Sequence, residues 1–178
     1  ALGDGGAVIS NDSSIIEEIR CLGNYGSSKK YYHQYLGTNS RLDELQAAFL
    51  RIKLRYLHAI NQERQMIANQ LLEKINNSAI KLPVIGEDRT HIWHVFAVIC
   101  QTRDHLKKYL EEKGISTICH YPIAIANQAC YDGENFGQLP IGDFLSDHEL
   151  SLPLYVGMRQ EEIDYLIETI NSYEPKEL

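Results

Sequence analysis

Between Ser40 and Ser78 the apolar residues recur at steps of mostly three and four: Leu42, Leu45, Phe49, Ile52, Tyr56, Ile60, Ile67, Leu71 and Ile75. A backbone that turns once every 3.6 residues gathers these positions on one face, so the pattern predicts a single long amphipathic helix. Ser40 stands three residues before Asp43, an arrangement that resembles a capping box, and Asn76-Asn77-Ser78 offers a stop. A helix of that length most simply serves as a scaffold packed on a core. It is also the element that commonly joins two domains or lines a dimer interface.

The flanks supply different elements. Asp4-Gly5-Gly6 precedes Ala7-Val8-Ile9, which reads as a glycine turn, with positive φ at Gly3, Gly5 and Gly6, leading into a short β-branched strand. Asn11-Asp12-Ser13 offers helix caps, and Ile15, Ile16, Ile19 and Leu22 mark one face of a helix up to Gly23. Residues 24–38 then read as a long, polar, tyrosine-rich loop, and loops of that length are usually functional or disordered. Beyond Pro83 the order is strand (His91 to Cys100), helix (Asp104 to Lys113, closed by Gly114), strand (Ile115 to Tyr121) and an irregular stretch over 123–143. A short helical segment follows from Phe144 to Leu150, with a break at Leu152-Pro153 and a last amphipathic helix from Glu161 to Ile170. Alternation of this kind predicts a small α+β layer.

Charge and composition exclude several classes. Of 178 residues, 17 are Lys or Arg and 24 are Asp or Glu, a net charge of −7 with no long basic block, which makes general nucleic-acid binding a poor fit. The longest apolar run is Val95 to Cys100, far short of a membrane span. Cys21, Cys100, Cys119 and Cys130 show no zinc spacing and read as free thiols of a cytoplasmic protein. His91 and His94 lie three apart in an extended-looking segment, where their side chains face opposite sides, so no metal site is expected. Ala1 stands where a start codon would place Met, and Ala-Leu-Gly-Asp-Gly-Gly reads like the inside of a fold. A longer parent is therefore expected. A lone strand at residues 7–9 would leave unpaired edges, so an oligomer or a swapped N-terminal segment is expected too.

Three places offer binding chemistry. Lys29, Lys30, Tyr31, Tyr32 and His33 bring cationic and phenolic donors together in the loop, suited to an anion such as a diphosphate, although a solvated surface loop has the same composition. Asn39 stands at the head of the long helix, where it could cap or present an amide to an anion. His120-Tyr121-Pro122 ends a strand at a fixed bend, a usual place for a site residue.

These motifs stand in the chain as ALGDGGAVISND, CLGNYGSSKKYYHQYLGTNSRLDELQAAFLRIKLRYL, HIWHVFAV, KGISTICHYPI and LSLPL. In that order and spacing the chain resembles the C-terminal half of the DegT/DnrJ/EryC1/StrS aminotransferases, enzymes that use pyridoxal 5′-phosphate (PLP) on sugars. NYGSSKKYYH looks most like the branch acting on nucleotide-linked 3-keto-6-deoxyhexoses. The resemblance implies an α/β lineage. It places the chain as the C-terminal part of the fold type I (aspartate aminotransferase-like) fold, a small α+β domain with a long amphipathic helix. Residues 1–60 would be the trailing part of the large PLP-binding domain with that helix, and 61–178 the small domain. It implies amino transfer from an amino acid, with glutamate expected, to a keto nucleotide-sugar for polysaccharide assembly, and a homodimer.

Residue by residue, Asn39 matches the asparagine that family members extend across the dimer to the partner's PLP phosphate. Lys29, Lys30, Tyr32 and His33 match the loop near cofactor and sugar nucleotide, and His120 and Tyr121 match the segment lining the sugar pocket. The chain departs from the family after Pro122. A proline and a second histidine are usual there, whereas this chain reads Ile123-Ala124-Ile125-Ala126-Asn127, with Ala126 in place of an imidazole. The lysine that holds the cofactor covalently lies before the LGDGG segment in the family, which would put it ahead of Ala1, and neither Lys29 nor Lys30 matches it. No catalytic residue is therefore assigned, and the segment alone is not expected to hold PLP or to transaminate. The rival expectation is a non-catalytic truncated domain serving as an oligomerisation or interaction module.

Overall fold

The computed structural model describes residues 3–175, so Ala1 and Leu2 of the opening motif lie outside the described residues. The chain forms two compact units, Ala1–Leu57 and His58–Leu178.

The first unit holds α1 (Ser13–Leu22), a hairpin of β1 (Ser27–Lys29) with β2 (Tyr32–His33), and α2 (Glu44–Leu54). Helix α1 begins as expected. Asp12 is its N-cap, and Oδ1 accepts from the Ser14 N–H at 2.9 Å and the Ser14 hydroxyl at 2.6 Å. These bonds favour the charged carboxylate and hold Asp12 below its ordinary pKa. Three expectations fail here. Ala7-Val8-Ile9 forms no strand and Ile9 is 94% exposed, because the ladder partners such a strand needs are missing from the described residues. Positive φ occurs at Gly3 (+152°) but not at Gly5 or Gly6. The stretch 24–38 is not structureless: it carries the β1–β2 hairpin, with Tyr31 at φ +71° in the turn.

The expected single helix is two. Helix α2 starts at Glu44 rather than beside Ser40, with no side-chain cap from Asp43, and it ends at Leu54. After it, the Arg55 and Tyr56 N–H groups bond three residues back, to Ile52 and Lys53, which tightens the backbone into a turn. The next helix, α3 (Leu57–Lys74), restarts at the boundary of the second unit and buries Ile67, Ala68 and Leu71 there. Periodicity could not reveal this break, since neither Gly nor Pro marks it.

The second unit is built on a three-stranded antiparallel sheet in the order β3 (Ile80–Lys81), β4 (Phe96–Cys100), β5 (Glu149–Leu152). Along β4 burial alternates with the pleat: Phe96, Val98 and Cys100 are buried, while Ala97 and Ile99 are half-buried. The register pairs Phe96 with Leu152 and Val98 with Leu150. Those four side chains share the core with Leu106 and Leu110 of α4 (Arg103–Glu112) and with Ile163, Leu166 and Ile170 of α6 (Gln160–Asn171). Helix α4 ends as its sequence suggests. Gly114, at φ +76°, lets the Gly114 and Ile115 N–H groups cap the carbonyls of Glu111 and Leu110, and Ile115 then packs in the core beside Leu110.

The strand expected from His91 is shorter. Trp93 sits at φ +54° with its N–H donating to His91 Nδ1, and Arg64 holds the Trp93 carbonyl at 2.9 Å. The strand expected over Ile115–Tyr121 reduces to one bridge, Ile118 with Ser151. The segment expected as helix to Leu150 ends sooner: α5 spans Pro140–His148 and Glu149 opens β5. Among the described residues no helix is long and apolar enough to cross a membrane.

Candidate functional site

The first locus grows from the C-terminus of α1. The chain doubles back there so closely that side chains are excluded. A Cβ on Gly26 would lie 1.8 Å from the Tyr35 carbonyl oxygen, and one on Gly37 would lie 2.1 Å from the Gly26 nitrogen. Hydrogen bonds close the loop. Gly26 N–H donates to Cys21 O at 2.8 Å, Thr38 N–H to Leu22 O at 2.9 Å, and Ser40 N–H to Gly23 O at 2.9 Å. Asn39, bridged to Asn24 across this closure, is thereby fixed ahead of α2.

Arg41 completes the arrangement. Its Nε donates to Asn39 Oδ1 at 2.9 Å, its Nη1 to Asn24 Oδ1 at 3.4 Å, and its guanidinium lies over the Tyr25 ring at 5.6 Å. With Oδ1 engaged, the Asn39 amide has one orientation, and among the described residues its Nδ2 donates to none. Asn39 and Arg41 line a cleft of about 600 Å³ together with Asp4, Gly5 and Gly6. Arg41 was not singled out from the sequence. The signal was its place two residues after Asn39, but only the folded loop shows that it orients the amide.

The hairpin residues sit differently. Lys29 Nζ lies over the Tyr32 ring at 5.3 Å and Lys30 Nζ over the Tyr31 ring at 5.1 Å, all on exposed surface. His33 Nδ1 faces the Tyr25 carbonyl at 2.9 Å. A carbonyl only accepts, so Nδ1 carries the proton and the neutral ring offers Nε2 as an acceptor. A larger cavity, about 750 Å³, is lined by neighbouring residues including Arg20, Gln34, Tyr35 and Arg41. Lys29, Lys30, Tyr32 and His33 line neither of these two cavities.

The second locus belongs to the other unit. The bridge between Ile118 and Ser151 runs antiparallel, so His120 falls opposite Glu149. Glu149 and Ser151 are two apart on β5 and share the face turned away from Leu150 and Leu152. The His120 N–H donates to Glu149 Oε2 at 2.7 Å, Ser151 Oγ donates to Glu149 Oε1, and His120 Nδ1 meets Ser151 Oγ at 2.8 Å. Glu149 and Ser151 are buried, with 6% and 5% exposure, while His120 is exposed.

Buried Arg103 anchors the strand end, its Nη1 donating to the carbonyls of Ser146 and Glu149 at 3.1 and 3.2 Å and meeting Cys119 Sγ at 3.1 Å. His120, Ser151, His94 and Thr117 line a cavity of about 260 Å³. Tyr121, 70% exposed, meets the His120 ring edge-on at 5.6 Å. Sequence reasoning found His120 and Tyr121 but not Glu149, Ser151 or Arg103, whose roles depend on strand register. Asn127, in the stretch where the chain departs from the pattern it resembles, donates to Asp143 at 2.7 Å, and neighbouring Ala126 offers no polar group.

The sequence profile of the DegT/DnrJ/EryC1/StrS aminotransferase family matches residues 1–171. The chain is 44% identical over 169 residues to the dTDP-3-amino-3,6-dideoxy-alpha-D-galactopyranose transaminase of Aneurinibacillus thermoaerophilus, covering 95% of this chain and 47% of that protein. It is 38% identical over 174 residues to the dTDP-3-amino-3,4,6-trideoxy-alpha-D-glucose transaminase of Streptomyces venezuelae, covering 96% and 46%. Its structure superposes on that of S. venezuelae DesV in complex with a ketimine intermediate with a TM-score of 0.86 at 37% identity, covering 92% of this chain and 45% of that one. The chain therefore spans about half the length of the curated relatives it matches, and its mixed α/β architecture is that of their C-terminal half.

Proposed function

The chain belongs to the DegT/DnrJ/EryC1/StrS aminotransferase family, and on that premise we propose that it is the C-terminal part of a PLP-dependent enzyme that aminates a nucleotide-linked keto sugar. The observation that carries this reading is the Asn39 amide. Arg41 fixes it with its acceptor engaged, so the Nδ2 donors are left for an anion at the mouth of a cleft. That donor set suits the phosphate of PLP, and the neighbouring guanidinium adds favourable charge. When bound, the cofactor supplies the electron sink for moving an amino group between carbon atoms.

This chain's residues bind and orient. Asn39 holds phosphate, in the site of a partner subunit. Lys29, Lys30, Tyr32 and His33 form an exposed cationic and phenolic surface for the diphosphate and sugar. His120 and Tyr121 face the sugar. Similarity to two dTDP-sugar transaminases supports a dTDP-linked 3-keto sugar as acceptor, and glutamate is the donor in this reading. The 178 residues alone are inactive in this reading, because none of their lysines matches the one that holds the cofactor. The exposed apolar side chains of α2, Leu45, Phe49 and Ile52, favour a second role for the same segment, association with another subunit.

The test is a chimera joining the N-terminal half of the A. thermoaerophilus transaminase to this chain. We expect amination of dTDP-linked 3-keto sugar by the chimera and none by the chain alone. We also expect Asn39→Ala to weaken PLP retention by about tenfold, the loss of one charge-assisted hydrogen bond of roughly 1.5 kcal/mol. A folded chimera with no transaminase activity, or an Asn39→Ala variant that retains PLP unchanged, would contradict the proposal.

A further inference from the structure

The network behind His120 has a fixed direction. The Glu149 carboxylate is an acceptor at both oxygens: Oε2 takes the His120 backbone N–H, and Oε1 takes the Ser151 hydroxyl. A serine hydroxyl has a single proton, and it is used on Glu149. Ser151 Oγ can therefore only accept from His120 Nδ1, 2.8 Å away. In the neutral ring Nδ1 then carries the proton and Nε2 carries the lone pair. Among the described residues no hydrogen bond reaches Nε2, and His120 lines the cavity of about 260 Å³. Glu149 and Ser151 are buried and held in register by β5, so the exposed His120 ring meets partners already fixed in place.

We propose that Glu149 and Ser151 are positioning residues that lock His120 as its Nδ1–H tautomer, so that Nε2 stands ready to accept a hydrogen bond from a hydroxyl of the sugar. The assignment of a sugar hydroxyl as donor rests on the function proposed above; the tautomer lock does not. An unconstrained neutral histidine exchanges between its two tautomers with the Nε2–H form in the majority, and a ring presenting N–H at Nε2 would select an acceptor on the ligand instead. The pair thereby decides which kind of polar group the pocket recognises.

The ring nitrogens report this directly, because protonated and unprotonated imidazole nitrogens resonate far apart in ¹⁵N spectra. The measurement uses the 178-residue chain with ¹⁵N-labelled histidine at alkaline pH, where imidazoles are neutral, and the His120 signals are identified by their loss in His120→Asn. Wild type should show Nδ1 protonated and Nε2 unprotonated. In Glu149→Gln the amide oxygen keeps the His120 N–H, the amide NH₂ donates to Ser151, and the freed hydroxyl proton turns to Nδ1. The two ¹⁵N positions should therefore exchange, with Nε2 now protonated. Should Glu149→Gln fail to fold, Ser151→Ala removes the bridge and should replace the single wild-type form by a mixture. An Nε2–H or mixed form in the wild type, or an unchanged pattern in a folded Glu149→Gln or Ser151→Ala, would overturn the proposal. No ligand enters the measurement. A chain with the expected tautomer but no sugar-nucleotide binding in the chimera would count against the proposed function and leave the network standing.

Discussion

Between Asp12 and Ser40 the backbone is pinned by hydrogen bonds and glycine contacts, whereas between Ile67 and Tyr173 it is pinned by buried side chains. In the unit Ala1–Leu57 Gly26 is the one buried position among the described residues, and Ile15, Ile19, Phe49 and Ile52 all face solvent. In the unit His58–Leu178 a continuous core runs from α3 through the sheet to α6. Backbone bonds specify shape, but the net stability of a domain comes chiefly from apolar burial. The second unit thus carries its own stability, whereas the first leaves the apolar side chains of α1 and α2 exposed.

Substitutions can separate the two. The largest effect is expected for Phe96→Ala or Leu110→Ala, which should cost about 3–5 kcal/mol in denaturant unfolding, as deep core truncations do. The matched change Phe49→Ala, at a residue 42% exposed, should stay within about 0.5 kcal/mol. Equal effects would break the contrast. Asn77 comes next. Its Nδ2 donates to the carbonyls of Ile170 and Tyr173, and its Oδ1 accepts from the Ala79 N–H. Asn77→Ala leaves those groups unpaired and should lower stability by about 1–3 kcal/mol.

Smaller effects follow from titration and from one glycine. Burial raises the pKa of the Tyr173 phenol, which bonds Thr102 and His105. The folded state therefore prefers the neutral form. This contribution is full below about pH 10, the ordinary tyrosine value, and is lost as pH rises through the raised one. Tyr173→Phe should flatten that alkaline decline. Gly26→Ala should abolish the amide protection that β1 and β2 gain in the chimera while leaving the unfolding midpoint of the second unit unchanged, which a combined exchange and denaturation experiment reads.

What the sequence made legible was local chemistry. Asp12 and Gly114 mark their helix ends by the bonds their own positions demand, and the spacing of Ile163, Leu166, Ile167 and Ile170 marks α6. What stayed hidden depends on tertiary partners. The periodic run through Tyr56 looks like one helix, because the turn at Arg55-Tyr56 has no breaker residue. Glu149-Leu150 reads as the end of a helix until β4 supplies its ladder. The candidate site divides the same way. Asn39, His120 and Tyr121 stood out within motifs, whereas Arg41, Glu149 and Ser151 acquire their roles only when a loop closes or a register is set.

Hydrogen exchange read by mass spectrometry, on the 178-residue chain and on the chimera with the N-terminal half of the A. thermoaerophilus transaminase, tests the two-unit account most directly. Amides of β4, β5, α4 and α6 should be equally slow in both proteins. Those of α1, the β1–β2 hairpin and α2 should exchange quickly in the chain alone and gain protection in the chimera. If α1 and α2 are as slow as β4 in the chain alone, or gain nothing in the chimera, the account is contradicted.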